Sequence, residues 1–409
     1  MERTVNHPSK AHLLSCIPFI LLFACKFPYD PQPEKPVIPI NPVTSNESGV
    51  KVKKIVPGMQ ICNPSISQDT INFPACMLWL NFAGTMPVKT NAATSTYPLF
   101  AKQHDRLTIS DSSNTVRWFI MRDLFTNNSD VQFQDPEWST HPEYIGTLLG
   151  DVNYRNTWSF YAINPKSSNH IKIIDSRLNE SSTPHLWVDP KSTYQNMIPS
   201  EISYNSNGLL NKGSVIDFFG TTNIKIVYSI TENGYLSLYY IDYSSDSVAP
   251  VKLNQISNQD GKSCNYESAL ISPDGNWIVF NAFETSTQYS SYIQKLAPQS
   301  RPMLIKEGAS DPHWWTNPVT FQLNIIYSET IGDNRVFADL SDPTYLKTGD
   351  AGKTYLQKVS LLPPLPSALS VEFIDNATAL INLPLKGGLS PDGHFLCTGY
   401  NYAYIIELY

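Results

Sequence analysis

A chain of 409 residues with a charged fraction of 16%, aromatics at 12%, 22 Tyr and a formal net charge of -7 is long enough to bury a large core. The mildly acidic balance excludes a nucleic-acid partner, which needs a clustered basic surface, and no Lys/Arg run stands outside the short Lys51-Val-Lys-Lys54. Few charges beside many Tyr, Asn, Ser and Thr suit an extracytoplasmic β protein.

In chain order, residues 1–24 read as a lipoprotein signal peptide. Arg3 and Lys10 form a basic start, and Leu13 to Phe23 is an apolar run too short to span a bilayer. Leu22-Phe23-Ala24-Cys25 looks like a bacterial lipobox, which implies cleavage before Cys25 and lipid attachment to its thiol. The competing reading is an ordinary secretion signal with a chance Cys. Residues 25–50 then form a tether, because Pro28, Pro31, Pro33, Pro36, Pro39 and Pro42 recur near the three-residue period of polyproline II. The expected location is lipid-anchored, on the periplasmic side of the outer membrane or at the cell surface. Lys26, which is not the Asp that retains many enteric lipoproteins at the inner membrane, favours the outer membrane by resemblance.

Residues 51–409 are expected to form one domain. Lys51 to Pro57 reads as a strand that joins the last sheet, since the C-terminal segments Gly387 to Leu389, His394 to Thr398 and Tyr402 to Leu408 supply only three strands. In residues 58–134, Met77 to Phe82 and Val116 to Met121 are strand-like, and a disulfide between Cys62 and Cys76 is possible in an oxidising compartment. Further on, Trp158 to Ile163 and His170 to Ile174 flank an Asn164-Pro165 turn, and Lys225 to Ile230 and Tyr235 to Ile241 flank Asn233-Gly234, a strong hairpin signal. Pro250 to Leu253 and Met303 to Ile305 read as outer strands, and no helical period follows the signal peptide.

Two stretches carry a repeated hairpin. Ile271-Ser-Pro-Asp-Gly-Asn-Trp277 returns as Leu389-Ser-Pro-Asp-Gly-His-Phe395: Pro presets φ, Asp bonds back to the backbone and Gly takes positive φ. Three looser copies run Pro136-Glu-Trp-Ser-Thr-His-Pro142, Pro184-His-Leu-Trp-Val-Asp-Pro190 and Pro312-His-Trp-Trp-Thr-Asn-Pro318. The turn positions His141, Asp189, Asp274, Asn317 and Asp392 lie 48, 85, 43 and 75 residues apart, one or two multiples of the roughly 40 to 45 residues of a four-stranded propeller blade. Worn copies are expected in the two wide gaps, at Ser214 to Tyr228 and Val371 to Ile381.

At these residues the chain resembles the TolB-like β-propellers, over roughly residues 107 to 409. The expected fold is all-β, a single β-propeller of six blades with seven as the alternative, its ring closed by an N-terminal strand. His141-Pro142, Asp189-Pro190 and Asn317-Pro318 depart from the family's Asp-Gly. The resemblance implies a non-catalytic protein-binding or scaffolding role in the cell envelope, with an envelope protein as partner.

No catalytic constellation stands out. The chain has no Gly-x-Ser-x-Gly elbow, and no His-x-Glu, His-x-His or zinc-type cysteine spacing, so neither metal nor cofactor is expected. His185 and His313 share a repeat position that could converge on a propeller axis, although blade-by-blade structural roles are the simpler reading. Cys397, on an apolar strand, reads as an inert core thiol. Loops joining second and third strands supply the candidate binding face: Tyr154 and Arg155, Glu284 and Tyr289, Glu329 and Arg335. A carbohydrate-binding or carbohydrate-active propeller is the alternative, since Tyr and Trp stack on sugars as well as fill strands.

Overall fold

The computed structural model describes residues 51–55, 61–81, 89–90, 102–113, 115–193, 197–255, 264–283, 289–316, 323–329, 337–338, 346–347, 354–361, 371–373, 378–381, 388–399 and 403–407. Their arrangement is all-β and propeller-like.

The repeated hairpin works as the turn chemistry requires. Gly275 at φ 72° donates its N–H to Ser272 O at 2.9 Å, and Gly393 at φ 73° donates to Ser390 O at 2.9 Å. In both turns the serine hydroxyl donates to the Asp carboxylate and accepts the backbone N–H five residues on, Trp277 at 3.0 Å and Phe395 at 2.9 Å. Asp274 and Asp392 are therefore occupied as turn formers.

Six sheets of three or more strands follow one another among the described residues. The first holds Ile61–Ile66, Cys76–Asn81, Arg106–Asp111 and Thr115–Met121, with the short Lys89–Thr90 added in parallel. The second is Val131–Trp138, Ile145–Asp151, Trp158–Ile163 and His170–Leu178, and the third is His185–Val188, Ile224–Glu232, Tyr235–Asp242 and Val251–Lys252. Asn265–Ile271, Trp277–Phe283, Tyr289–Lys295 and Met303–Glu307 make the fourth. The fifth comprises Ala309–Thr316, Leu323–Glu329 and Thr354–Leu361, the last pairing with both Val371–Phe373 and Thr378–Ile381. In the sixth, Phe395–Gly399 pairs with Ala403–Glu407, which pairs in turn with Lys51–Ile55.

Side chains tie each sheet to the next. Ser65 Oγ donates to Glu137 at 2.8 Å between the first and second, and Thr140 Oγ1 donates to Val188 O at 3.0 Å between the second and third. The repeat tryptophans do the same work further on: Trp187 Nε1 donates to Pro273 O at 3.1 Å, Trp314 Nε1 to Leu270 O at 3.0 Å and Trp315 Nε1 to Gly393 O at 3.0 Å. Trp187 and Trp315 thus seat on the Ser-Pro-Asp-Gly turn of the following sheet, which explains why the motif joins an aromatic strand to that turn. Between the sixth sheet and the first, Gln68 Nε2 donates to Leu389 O at 2.8 Å, and Ile61, Ile66, Met77, Trp79, Cys397 and Ile405 form one buried cluster.

Four expectations are corrected. Ser214 to Tyr228 is no hairpin: the α-helix Lys212–Phe219 opens with Asn211 accepting from Ser214 N, ends at left-handed Gly220 (φ 77°), and buries Val215, Phe218 and Phe219 between the second and third sheets. The helix belongs to an insertion that Asp189 closes by donating its N–H to Asn223 O at 3.1 Å, so the wide gap after Asp189 holds one sheet rather than two. Val371 to Ile381 likewise supplies outer strands of the fifth sheet, not a sheet of its own. Cys76 is a free, buried thiol, pushed up to about 12 by burial and by Asp111. The ladder puts Cys62 opposite Leu80, four positions along from Cys76 and roughly 13 Å away at a strand rise of about 3.3 Å, too far for a disulfide. Asn317 and Cys25 lie outside the described residues.

Candidate functional site

The innermost strands share a deformation. Asn63, Asp135, Ser268 and Asp311 have positive φ (46°, 44°, 54° and 51°), each within a register shift of its ladder, and Thr183 (37°) occupies the same place just before His185–Val188. Three of the five are Asn or Asp, whose short polar side chains tolerate the left-handed region best, and four precede a proline. Such bulges re-aim side chains, and here they stitch neighbouring sheets together. Asn63 Nδ2 donates to Asp135, Thr183 Oγ1 accepts Ser268 N at 3.3 Å, His185 Nδ1 accepts Ile271 N at 3.1 Å, and Asn281 Oδ1 accepts Asp311 N at 3.0 Å.

Carboxylates from different parts of the chain act electrostatically on Asp135, at the bulge of the second sheet. Burial raises Asp135 to about 8, reinforced by Glu180 from the connection into the third sheet, Glu267 from the fourth, and its neighbour Glu137; the Asn63 amide opposes the rise. Glu137 is pushed up to about 7 by burial, partly offset by the Ser65 hydroxyl. Both side chains are half-buried. Near neutral pH, Asp135 therefore carries a proton and Glu137 is poised to exchange one.

His185 and His313 do come within electrostatic reach of each other, as their shared repeat position allows. His185 is buried and accepts at Nδ1, so its proton sits on Nε2, and burial together with His313 pushes it down to about 3. Each also serves its own surroundings, His313 Nδ1 lying 2.9 Å from Asp311 O. Among the described residues no three His, Cys, Asp or Glu side chains gather closely enough to hold a metal ion.

The register shows where the candidate binding loops lie relative to the innermost strands. Val131 pairs with Asp151, Asn265 with Phe283 and Ala309 with Glu329, so the innermost strands begin beside the loops that join second to third strands. Tyr154 stands 63% exposed on that face, with Arg155 exposed beside it. Tyr289 is corrected from loop to strand: it opens Tyr289–Lys295, half-buried, with its ring 5.1 Å from Phe283. Glu329 ends its strand opposite Ala309, while Glu284 and Arg335 lie outside the described residues. His141 is a buried turn residue, its N–H donating to Ser139 Oγ at 3.1 Å.

Asp135, Glu137, Glu180 and Glu267 escaped the sequence reading. The signal for Asp135 was a polar residue before the recurrent proline, as in Asn63-Pro64, Asp135-Pro136, Thr183-Pro184 and Asp311-Pro312; the three glutamates carry no such mark.

No family model matches the chain, and no curated protein is similar to it in sequence. Solved structures similar to it include TolB from Acinetobacter baumannii, at a TM-score of 0.40 and 10% identity, covering 82% of this chain and 64% of that one. A structure from an analysis of two prolyl endopeptidases has a TM-score of 0.34 and 8% identity, covering 85% of this chain and 38% of that one. The chain therefore spans less than two thirds of either protein's length. An oligogalacturonate lyase in complex with manganese has a TM-score of 0.40 and 8% identity, covering 90% of this chain and 96% of that one.

Proposed function

We propose that this chain is a ligand-binding propeller of the cell envelope, anchored through a lipidated Cys25 and recruiting a protein partner on the face that carries Tyr154 and Arg155. In this reading the ring has six blades, one per sheet, and Lys51–Ile55 closes it by completing the sixth. The carrying observation is the electrostatic coupling of Glu180, Glu267 and Glu137 to Asp135, together with the hydrogen bond that Asn63 of the first sheet donates to Asp135. A partner presenting a cationic or hydrogen-bond-donating tip fits such a group, and surrounding polar loops would set its orientation.

The test is capture from envelope extract by residues 26–409, with Glu180→Gln/Glu267→Gln and Arg155→Ala as variants and Asp274→Asn on the far face as control. The first two should lose partner yield at unchanged melting temperature, and the control should keep both. Equal yield from all four proteins rejects the face. Metabolic lipid labelling of Cys25→Ala tests the anchor, undiminished label being the refuting result.

A second reading has its own observation. A carboxyl held protonated near neutral pH beside another carboxyl is what acid-catalysed glycoside chemistry needs, and Asp135 with Glu137 supplies that pair. Saturable binding or turnover on a glycan array and polysaccharide panel, lost in Asp135→Asn, would put the carbohydrate reading ahead of the protein partner.

A further inference from the structure

Among the described residues Lys51–Ile55 is the outermost strand of the sixth sheet and pairs on one side only, with Ala403–Glu407. The register runs unbroken from Lys51 opposite Glu407 to Ile55 opposite Ala403. Two features make its occupancy exchangeable. The junction between the sixth and first sheets is held without it, by Gln68 on Leu389 O and by the buried cluster that includes Trp79, Cys397 and Ile405. The remaining ladder is short: over five residues the backbone bonds gained are largely offset by the conformational freedom lost in ordering the strand. Its departure would break an edge and leave the other contacts standing.

Once vacated, Ala403–Glu407 presents a row of unpaired N–H and C=O groups, which accepts an extended strand. One strand is known to fit it in every position, and that is Lys51–Ile55 itself. The same segment of a second copy would restore all five pairs, Lys51 opposite Glu407 included. Addition outside the resident strand is disfavoured, because three of its five residues are lysines, the usual guard against edge-to-edge pairing. Only residues 56–60, which include Pro57-Gly58, separate it from Ile61–Ile66, so reciprocal exchange would draw two copies close together.

We propose that the outer edge of Ala403–Glu407 is a strand-exchange surface whose partner is Lys51–Ile55 of a second copy, each copy completing the sixth sheet of the other. The proposal rests on the reading that this strand closes the ring, and the experiment separates the two. Lys54 and Tyr404 stand directly opposite each other, at a spacing that a disulfide spans. Oxidation of the full-length Lys54→Cys/Tyr404→Cys chain at high dilution should give the link within one copy, and its absence overturns the closure reading.

For exchange, a chain with Lys54→Cys is mixed with an isotopically labelled chain carrying Tyr404→Cys, incubated, oxidised and mapped by mass spectrometry. The expected result is a 54-to-404 link between copies that grows with time, its initial fractional yield about doubling when both chains are doubled. Random collision is gauged by mixing Lys54→Cys with Asp274→Cys, an exposed turn position on another sheet. A 54-to-404 yield no greater than that collisional yield, in chains whose double variant links within one copy, overturns the exchange and leaves the closure intact.

Discussion

Neutralising Asp135 and Glu137 should change how stability depends on pH, in a direction set by their raised values (about 8 and about 7). In the unfolded chain both ionise near pH 4. Between there and neutrality the folded state holds protons that the unfolded state has released, so raising the pH pulls the equilibrium toward unfolding. Their stabilising contribution is complete below about pH 4 and is lost as pH climbs toward 7 to 8. One retained proton corresponds to about 1.4 kcal/mol per pH unit, so two independent groups would give about 4 to 5 kcal/mol between pH 5 and 7. Both side chains keep some exposure, which screens them, and the neighbouring carboxyls titrate as a coupled pair, so about 2 kcal/mol is the working value. Buried His104 and His185, pushed down to about 4 and about 3, act the opposite way, gaining stability as pH rises toward 6.5. The wild-type slope alone is therefore uninformative. The measurement is urea unfolding followed by Trp fluorescence at pH 5, 6, 7 and 8, for wild type and for Asp135→Asn/Glu137→Gln. The stability of wild type relative to the variant should fall by about 2 kcal/mol from pH 5 to 7. Parallel profiles within about 0.5 kcal/mol, or a relative rise, would refute the assignment of protonated carboxyls at Asp135 and Glu137.

Gly275→Ala should cost about 2 kcal/mol or more in a denaturant melt, because φ is 72° and the new methyl would lie 2.6 Å from the Trp187 ring. Gly234→Ala, at φ 86° with nothing within 4 Å, should show only the backbone cost of about 1 kcal/mol, so equal losses would deny the seating of Trp187 on the turn. Trp187→Phe removes the donor to Pro273 O and should lose about 1 kcal/mol, whereas Trp277→Ala, in a strand buried along its length, should lose about 3 to 5 kcal/mol. Asn211→Ala should cost about 1 kcal/mol by uncapping the helix, and a neutral result there would mean that the insertion is held by its buried phenylalanines alone.

Much of the fold was legible because its signals are local. Ser-Pro-Asp-Gly closes on itself through bonds between residues at most five apart, so the turns at Asp274 and Asp392 could be read without knowing their neighbours. The same holds for Trp158–Ile163 and for Asn233-Gly234, where chain chemistry alone sets the hairpin. The helix Lys212–Phe219 was missed because eight residues are too few for a periodic signal, and its stability comes from burying Phe218 and Phe219 against two sheets. The counting error in the wide gaps has the same origin, since an insertion and a worn repeat look alike when only spacing is read.

The sequence by itself determined the all-β character, the repeat and its turns, and which aromatic residues line the strands, because each follows from φ preferences and apolar periodicity within a few residues. Tertiary structure decided what those pieces do to each other. It seats Trp187 and Trp315 on the turns of the following sheets, and it places Lys51–Ile55 beside Ala403–Glu407, more than three hundred residues away in the chain. Asp135 and Glu137 carry ordinary carboxylates in the sequence. They become proton-holding groups only where the sheets surround them and bring Glu180 and Glu267 close, since desolvation and like charge act through space and leave no mark on residue order.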